Sequence, residues 1–326
     1  MIAERLTAQL LAGPPACDPV AVAERLLAVQ AQDERGFRLA VRCRTTGLTA
    51  ADVDRALTED RSLVVTWLNR GTLHLVRSED YPWLHALTAP TTAAMNARRL
   101  AEEGVSPADA ERAVAAVERA LAEEGPLDRH ALRERVATVG VRTEGQALVH
   151  VLLLASLRGL IVRGPVIDGR HAYVLVRDWL GEQPAVDRDV ALAELGRRYL
   201  AGHGPADDRD LARWAGIGLR DARAALSAAG HRPAAAAELP PPRLLGPFDP
   251  VLLGWASRDW VLDAHRAVIT VNGIFRPFAL AGGRAVATWS APRGRVELEP
   301  FGELTAADAD ALEADAQDVV RFLAGA

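Results

Sequence analysis

The tripeptide Gln30-Ala31-Gln32 closes an amphipathic stretch that begins at Pro19. Two amides around one small residue do not anchor a hydrophobic core, nor do they act as base or nucleophile as Asp, His or Cys would. Each amide offers two N–H donors and an acceptor oxygen, so the pair can hold a water molecule or a sugar. Geometry sets a condition on such a pair. On a regular α-helix, residues two apart point about 200° away from each other, whereas in an extended segment they share a face. Joint use of one site therefore requires the helix to end or distort near Gln30. A regular helix through Gln32 would leave one glutamine for chemistry, and the plainer alternative is a solvated pair at a helix end.

Polar residues also gather around a turn signal, Asn69-Arg70-Gly71, which separates the β-rich runs Leu63–Leu68 and Thr72–Val76. In a strand starting at Thr72, Thr72 and His74 share a face opposite Leu73 and Leu75. A second hairpin is expected around Asp168-Gly169-Arg170, an Asp-Gly pair between two apolar runs. Its polar residues are Arg163, Arg170 and His171. Phe248-Asp249-Pro250 reads as an ordered turn, with Asp249 a cap or arginine partner and a site role as the alternative. Trp67, Trp214, Trp255, Trp260 and Trp289 could stack on bases, although packing in the core is the simpler reading.

The elements that position these residues follow one grammar, short helices and then a hairpin. Thr49 with Asp52 reads as a helix start, Ser78-Glu-Asp as another, and Asp128 as the cap of a third. A helix from Thr143 to Arg158 is expected to be of the recognition type, with the second hairpin as its wing. Asp207–Ala215, the turn Gly216-Ile217-Gly218 and Leu219–Ala228 have helix-turn-helix spacing. The Ala- and Pro-rich run Pro233–Pro242 is the best boundary. Beyond it, strands at Val268–Val271, Phe275–Leu280, Arg284–Trp289 and Val296–Leu298 suggest a small barrel, followed by an amphipathic helix, Ala306–Leu323.

At 326 residues, with 49% hydrophobic and 25% charged residues, the chain suits a multidomain globular protein. The start Met-Ile-Ala-Glu-Arg lacks a signal peptide's order, so a cytoplasmic protein is expected. Cys17 and Cys43 have no metal spacing and read as reduced thiols. The net charge of −5 argues against a non-specific nucleic-acid binder. All 38 basic residues are Arg, however, and each is a planar fork suited to bidentate phosphate contacts. There is no Gly-rich phosphate loop, zinc ligand set or Ser-His-Asp arrangement, so neither metal nor nucleotide cofactor is expected.

Taken together, Leu27-Ala-Val-Gln-Ala-Gln32, Thr66-Trp-Leu-Asn-Arg-Gly-Thr-Leu-His-Leu75, Asp210-Leu-Ala-Arg-Trp214, Leu244-Leu-Gly-Pro-Phe-Asp-Pro250, Asn272-Gly-Ile-Phe-Arg-Pro277 and Gly283-Arg-Ala-Val-Ala-Thr-Trp289 resemble the winged-helix DNA-binding family that contains the AlkZ-type DNA glycosylases, known for azinomycin resistance and crosslink unhooking. The resemblance implies a mainly helical α+β fold, with tandem winged helices around a concave channel, a small C-terminal β-barrel and a terminal helix. The expected divisions are 1–100, 101–185, 186–238 and 239–326. The family's catalytic signature is Gln-aliphatic-Gln, which here falls on Gln30 and Gln32. Arg70, Thr72 and His74 are then expected to face the channel, His74 contacting substrate or phosphate, unless it bonds a neighbouring backbone group. Arg163, Arg170 and His171 become phosphate contacts or remain ordinary surface charge.

A purine alkylated at N7 or N3 already carries positive charge and leaves as a neutral base without protonation. Amides that position a water would then suffice. The expected activity is a monofunctional DNA glycosylase acting on double-stranded DNA with alkylated purines, including crosslinks. The protein is expected to be a cofactor-free monomer, cytoplasmic and nucleoid-associated when bound. The alternative is a non-catalytic winged-helix DNA-binding protein or transcriptional regulator, or a scaffold without DNA binding.

Overall fold

The computed structural model describes residues 1–230, 238–263 and 265–325. The chain forms two compact units that interleave along the sequence. Met1–Asp54, Leu192–Trp214 and Gly218–Ala326 make the first, and Arg55–Ala191 with Ala215–Ile217 the second. Residues 233–237 of the expected Ala- and Pro-rich boundary lie outside the described residues.

In the first unit, the helix Pro19–Leu26 starts at Asp18, whose carboxylate accepts from the Ala21 N–H at 2.7 Å, with proline at the first helical position. It was expected to continue to Gln30 and ends four residues sooner. Leu27 has φ 67° and ψ −46°, and the Ala28 N–H donates to Leu26 O at 2.8 Å. These are the marks of a γ-turn. A non-glycine residue held there costs about 1–3 kcal/mol. Leu26, Leu27 and Val29 are fully buried, so expelling any of them to relax the turn would expose a large apolar side chain. Val29–Gln30 is then extended, and Asp33 opens the helix Glu34–Arg42 by accepting from the Gly36 N–H at 2.6 Å.

The C-terminal part of this unit holds an antiparallel sheet in the order Arg243–Leu245, Phe278–Ala281, Arg284–Ser290, Glu297–Pro300. The order is open, so the expected barrel is not formed. Closure is unnecessary because both faces are already covered. Leu312, Ala316 and Val319 of the helix Ala306–Ala324 pack on Leu244, Ala279 and Ala287, while Leu6, Leu252 and Val261 join Leu245, Phe278 and Leu280. The edge strand Glu297–Pro300 carries two carboxylates and a proline, residues that discourage further pairing. The strand expected at Val268–Val271 is instead a 3-10 turn at Arg266–Val268 and an isolated bridge from Ile269 to Phe275. The helices expected after Asp207 appear as Asp208–Ala215 and Leu219–Ala229.

In the second unit, two hairpins form one antiparallel sheet ordered Thr72–Arg77, Leu63–Leu68, Ile161–Ile167, Arg170–Leu175. Both expected hairpins are present, joined by the pairing of Val65 with Arg163. All six residues of Leu63–Leu68 are buried, so the strand is covered on both faces. The helix after Asp128 forms as Arg129–Thr138, with the Asp128 carboxylate accepting from the Ala131 N–H at 2.8 Å. The next helix is Ala147–Leu157, and its cap position is Gln146 rather than Thr143. None of its residues is exposed. A helix that is apolar all round belongs in a core, so it does not present the surface expected of a recognition helix.

Candidate active site

Gln30 and Gln32 meet the condition that shared chemistry sets. The backbone is extended from Val29, and the Gln30 Nε2 donates to Gln32 Oε1 at 2.6 Å. Ala31, pointing the opposite way, is buried at 1% exposure, which accounts for a small apolar residue between the amides. The two glutamines differ in access. Gln30 is buried and Gln32 exposed. The Gln30 Oε1 has no hydrogen-bond partner among the described residues. A buried acceptor left unpaired costs about 1–3 kcal/mol, and it is ready to receive a donor such as a water O–H. The pair is fixed from both ends, by the γ-turn at Leu27 before it and the Asp33-capped helix after it.

In the other unit, Arg70, Thr72 and His74 sit on the first hairpin, but not as an open polar face. Asn69, Arg70 and Gly71 have φ of 21°, 61° and 76°, three successive left-handed residues. The Thr72 Oγ1 donates to Asn69 O at 3.2 Å. His74 is buried, and its Nδ1–H donates to Thr72 O at 2.9 Å, which makes Nε2 the acceptor. Burial, with the Arg70 charge nearby, pushes the His74 imidazole down to about 3. The bond to a neighbouring backbone carbonyl is the one expected as the alternative to a phosphate contact, and the neutral ring forms no ion pair. Half-buried Arg70 packs its backbone N and Cγ so close to Gly216 that a Cβ there would meet them at 2.9 and 2.8 Å.

On the second hairpin, the Arg163 Nε donates to the Tyr173 hydroxyl at 3.1 Å, and its guanidinium lies over the Trp67 and Tyr173 rings. His171 is buried, opposite Val166. Arg163 is thus engaged within the sheet, and His171 is buried in it. Arg170 is exposed and donates to Asp128 Oδ2 at 3.0 Å.

Asp249 takes the structural role. It accepts from the Val251 N–H at 3.0 Å and forms a fully buried, two-pronged pair with Arg44 at 2.8 and 2.9 Å. Burial works against the Arg44 charge, and Asp249 more than offsets it, holding the guanidinium above its ordinary range. Burial also pushes the neighbouring Cys43 thiol up to about 11, and Cys17 and Cys43 are both free thiols. Trp67, Trp214, Trp255 and Trp289 are buried, in line with core packing.

Asn69 escaped the sequence reading except as a turn residue. It is fully buried, and neither its Oδ1 nor its Nδ2 has a hydrogen-bond partner among the described residues. Its type and place before Arg-Gly signal a turn but not burial. Phe248 was likewise read only as part of a turn, yet it holds a left-handed φ of 57° immediately before the buried Asp249.

A family model described as DNA glycosylase AlkZ-like matches residues 23–322. An interstrand DNA cross-link repair glycosylase of Streptomyces sahachiroi is 29% identical over 352 residues, covering 94% of this chain and 91% of that protein. The solved structure of the Streptomyces sahachiroi DNA glycosylase AlkZ shares the fold, with a TM-score of 0.76 at 24% identity over 98% of this chain and 95% of that one.

Proposed function

The chain belongs to the AlkZ-like DNA glycosylase family, and from that premise we propose that it excises cationic N7- or N3-alkylated purines from double-stranded DNA and unhooks interstrand crosslinks built on such lesions. The observation that carries this reading is the Gln30–Gln32 pair, bonded at 2.6 Å with the Gln30 Oε1 left to accept a hydrogen bond. A water donating to that oxygen is oriented with a lone pair towards the anomeric carbon. The N-glycosidic bond breaks with its electron pair passing to the purine, which neutralises the positive ring and makes a general acid unnecessary. The water oxygen bonds to C1′ and its proton passes to solvent, leaving an abasic sugar and a neutral alkylpurine. Amide dipoles supply partial negative charge to the developing sugar cation.

The crosslink part of the reading is supported by the name of the Streptomyces sahachiroi relative. His74 Nε2, an acceptor fixed by the backbone bond at Nδ1, and exposed Arg170 are carried as substrate and phosphate contacts. The protein is taken to act as a cofactor-free monomer in the cytoplasm. The test incubates the full chain with 7-methylguanine duplex DNA and with uracil duplex DNA and measures abasic sites. Excision of 7-methylguanine that is lost in Gln30→Ala and Gln32→Ala is the expected result. Efficient removal of uracil, a neutral base, would sink the leaving-group logic.

A further inference from the structure

A cleft of about 500 Å³ lies within the first unit, lined in part by the residue that follows the glutamine pair. Asp33, one residue beyond Gln32, forms part of its wall, and consecutive Cα atoms lie about 3.8 Å apart. The other walls include Arg35, Phe248, Phe275, Arg276 and Trp289. We infer that this cleft is a second substrate subsite, which holds the planar aromatic substituent that a bulky alkylating agent leaves on the purine. The inference rests on the glycosylase reading and extends it to the adduct beyond the base.

Three observations point the same way. First, the cleft is locked to the glutamine segment by contacts too close for side chains. A Cβ on Gly36 would come 2.5 Å from Pro247 O, and one on Gly246 would come 2.8 Å from the Leu39 Cβ. The turn carrying Phe248 and the helix that begins just after Gln32 therefore move as one piece. Second, Phe248 is strained at φ 57°, where a non-glycine residue costs about 1–3 kcal/mol. The next residue, Asp249, is held by Arg44 in a buried pair at 2.8 Å, which keeps the turn and its ring in place. The Phe248 and Phe275 rings lie 5.6 Å apart at 52°, an aromatic corner suited to receiving a flat group.

Third, the polar groups suit an aromatic that carries acceptors. Arg35 and Arg276 are exposed, and neither guanidinium has an ion-pair partner among the described residues. The carboxylates of the wall are engaged, Asp33 by the Gly36 N–H and Glu299 by the Thr288 Oγ1 at 3.1 Å. A guanidinium plane over the open side of the corner can stack on the guest or donate to its carbonyl oxygens. A small alkyl group on the purine would leave the cleft empty, so its occupation distinguishes bulky lesions from methylated ones.

The experiment measures single-turnover excision by the full chain from duplexes carrying 7-methylguanine or 7-benzylguanine. Phe248→Gly removes the ring at a φ that glycine adopts without strain, and Arg276→Ala changes an exposed side chain, so both variants are suited to keeping the fold. In each, the benzyl-to-methyl rate ratio is expected to fall about tenfold or more, the scale of one lost stacking contact. A ratio unchanged in both variants overturns the subsite, as does a wild-type protein that excises 7-methylguanine and spares 7-benzylguanine. Either outcome leaves the glycosylase reading intact. A wild-type protein inert on both duplexes overturns the glycosylase reading, and the subsite with it.

Discussion

Two buried amides, one in each unit, hold polar atoms without hydrogen-bond partners among the described residues, and each sits beside strained backbone. Gln30 follows the γ-turn at Leu27, and Asn69 begins a run of three left-handed residues. Their surroundings differ. The Gln30 Nε2 is tied to exposed Gln32, so one end of this buried amide is linked to a side chain that reaches solvent. Asn69 is fully buried with both ends unpaired. An amide that costs stability while bonded to an accessible partner suits the proposed substrate role. One with no such link is a local cost borne by the hairpin that carries His74. The comparison teaches that an unpaired polar atom by itself does not mark a site, and the candidate site is the pair with graded exposure.

The contrast can be broken most directly at Gln30. Gln30→Ala should lower single-turnover excision on the order of 10²-fold, as removal of one oriented polar group does in other active sites. Its thermal midpoint should stay near the wild-type value, because the side chain that goes had an unpaired oxygen. A loss of stability with activity retained would reverse the assignment of roles.

Acid should affect the two units through different histidines. Burial pushes both His74 and His203 down to about 3, well below the unfolded value of about 6.5. Both are therefore neutral when folded, and the unfolded chain binds more protons between these values. Their stabilisation is fully present above about pH 6.5 and is lost as pH falls towards 3. The slope predicts a loss of about 2 kcal/mol per histidine between pH 6.5 and 5. Urea titrations at those two pH values check it, and His203→Phe should flatten the dependence by about half.

A smaller effect is expected at Asn69. Asn69→Gly removes the unpaired amide and accepts the left-handed backbone, for a gain of about 1 kcal/mol in urea unfolding. Destabilisation instead would mean that the amide supports the hairpin, and the distinction from Gln30 would weaken. The smallest change belongs to Arg170→Ala, which removes an exposed ion pair with Asp128. Stability should move by less than about 0.5 kcal/mol, while DNA binding should fall modestly and lose part of its salt dependence.

Local signals in the sequence carried much of this fold. Asp-Gly at 168–169 and Asn-Arg-Gly at 69–71 marked the hairpins, Asp128 capped its helix, and the strands Arg284–Ser290 and Glu297–Pro300 lie close to the expected Arg284–Trp289 and Val296–Leu298. Each depends on near neighbours in the chain, as turn and cap preferences do. The apolar run Ala147–Leu157 was legible as a helix, and its lack of a polar face agrees with a helix that has no exposed residue. The expected barrel was not borne out. Strand-rich residues do not reveal whether a sheet closes or is covered by a helix and a second core.

By itself, the sequence determined the family signature, the chemistry open to two amides, and the requirement that the backbone be extended if both were to serve one site. Only the tertiary structure decided that the requirement is met. Leucine has no local preference for the left-handed γ-turn at Leu27, which persists because Leu26, Leu27 and Val29 are fully buried. The neutrality of His74, the burial of His171 and the strained Phe248 backed by Arg44–Asp249 have the same origin. Desolvation, strain and buried pairing depend on residues distant in the chain, so their energies exist only once the core has assembled around them.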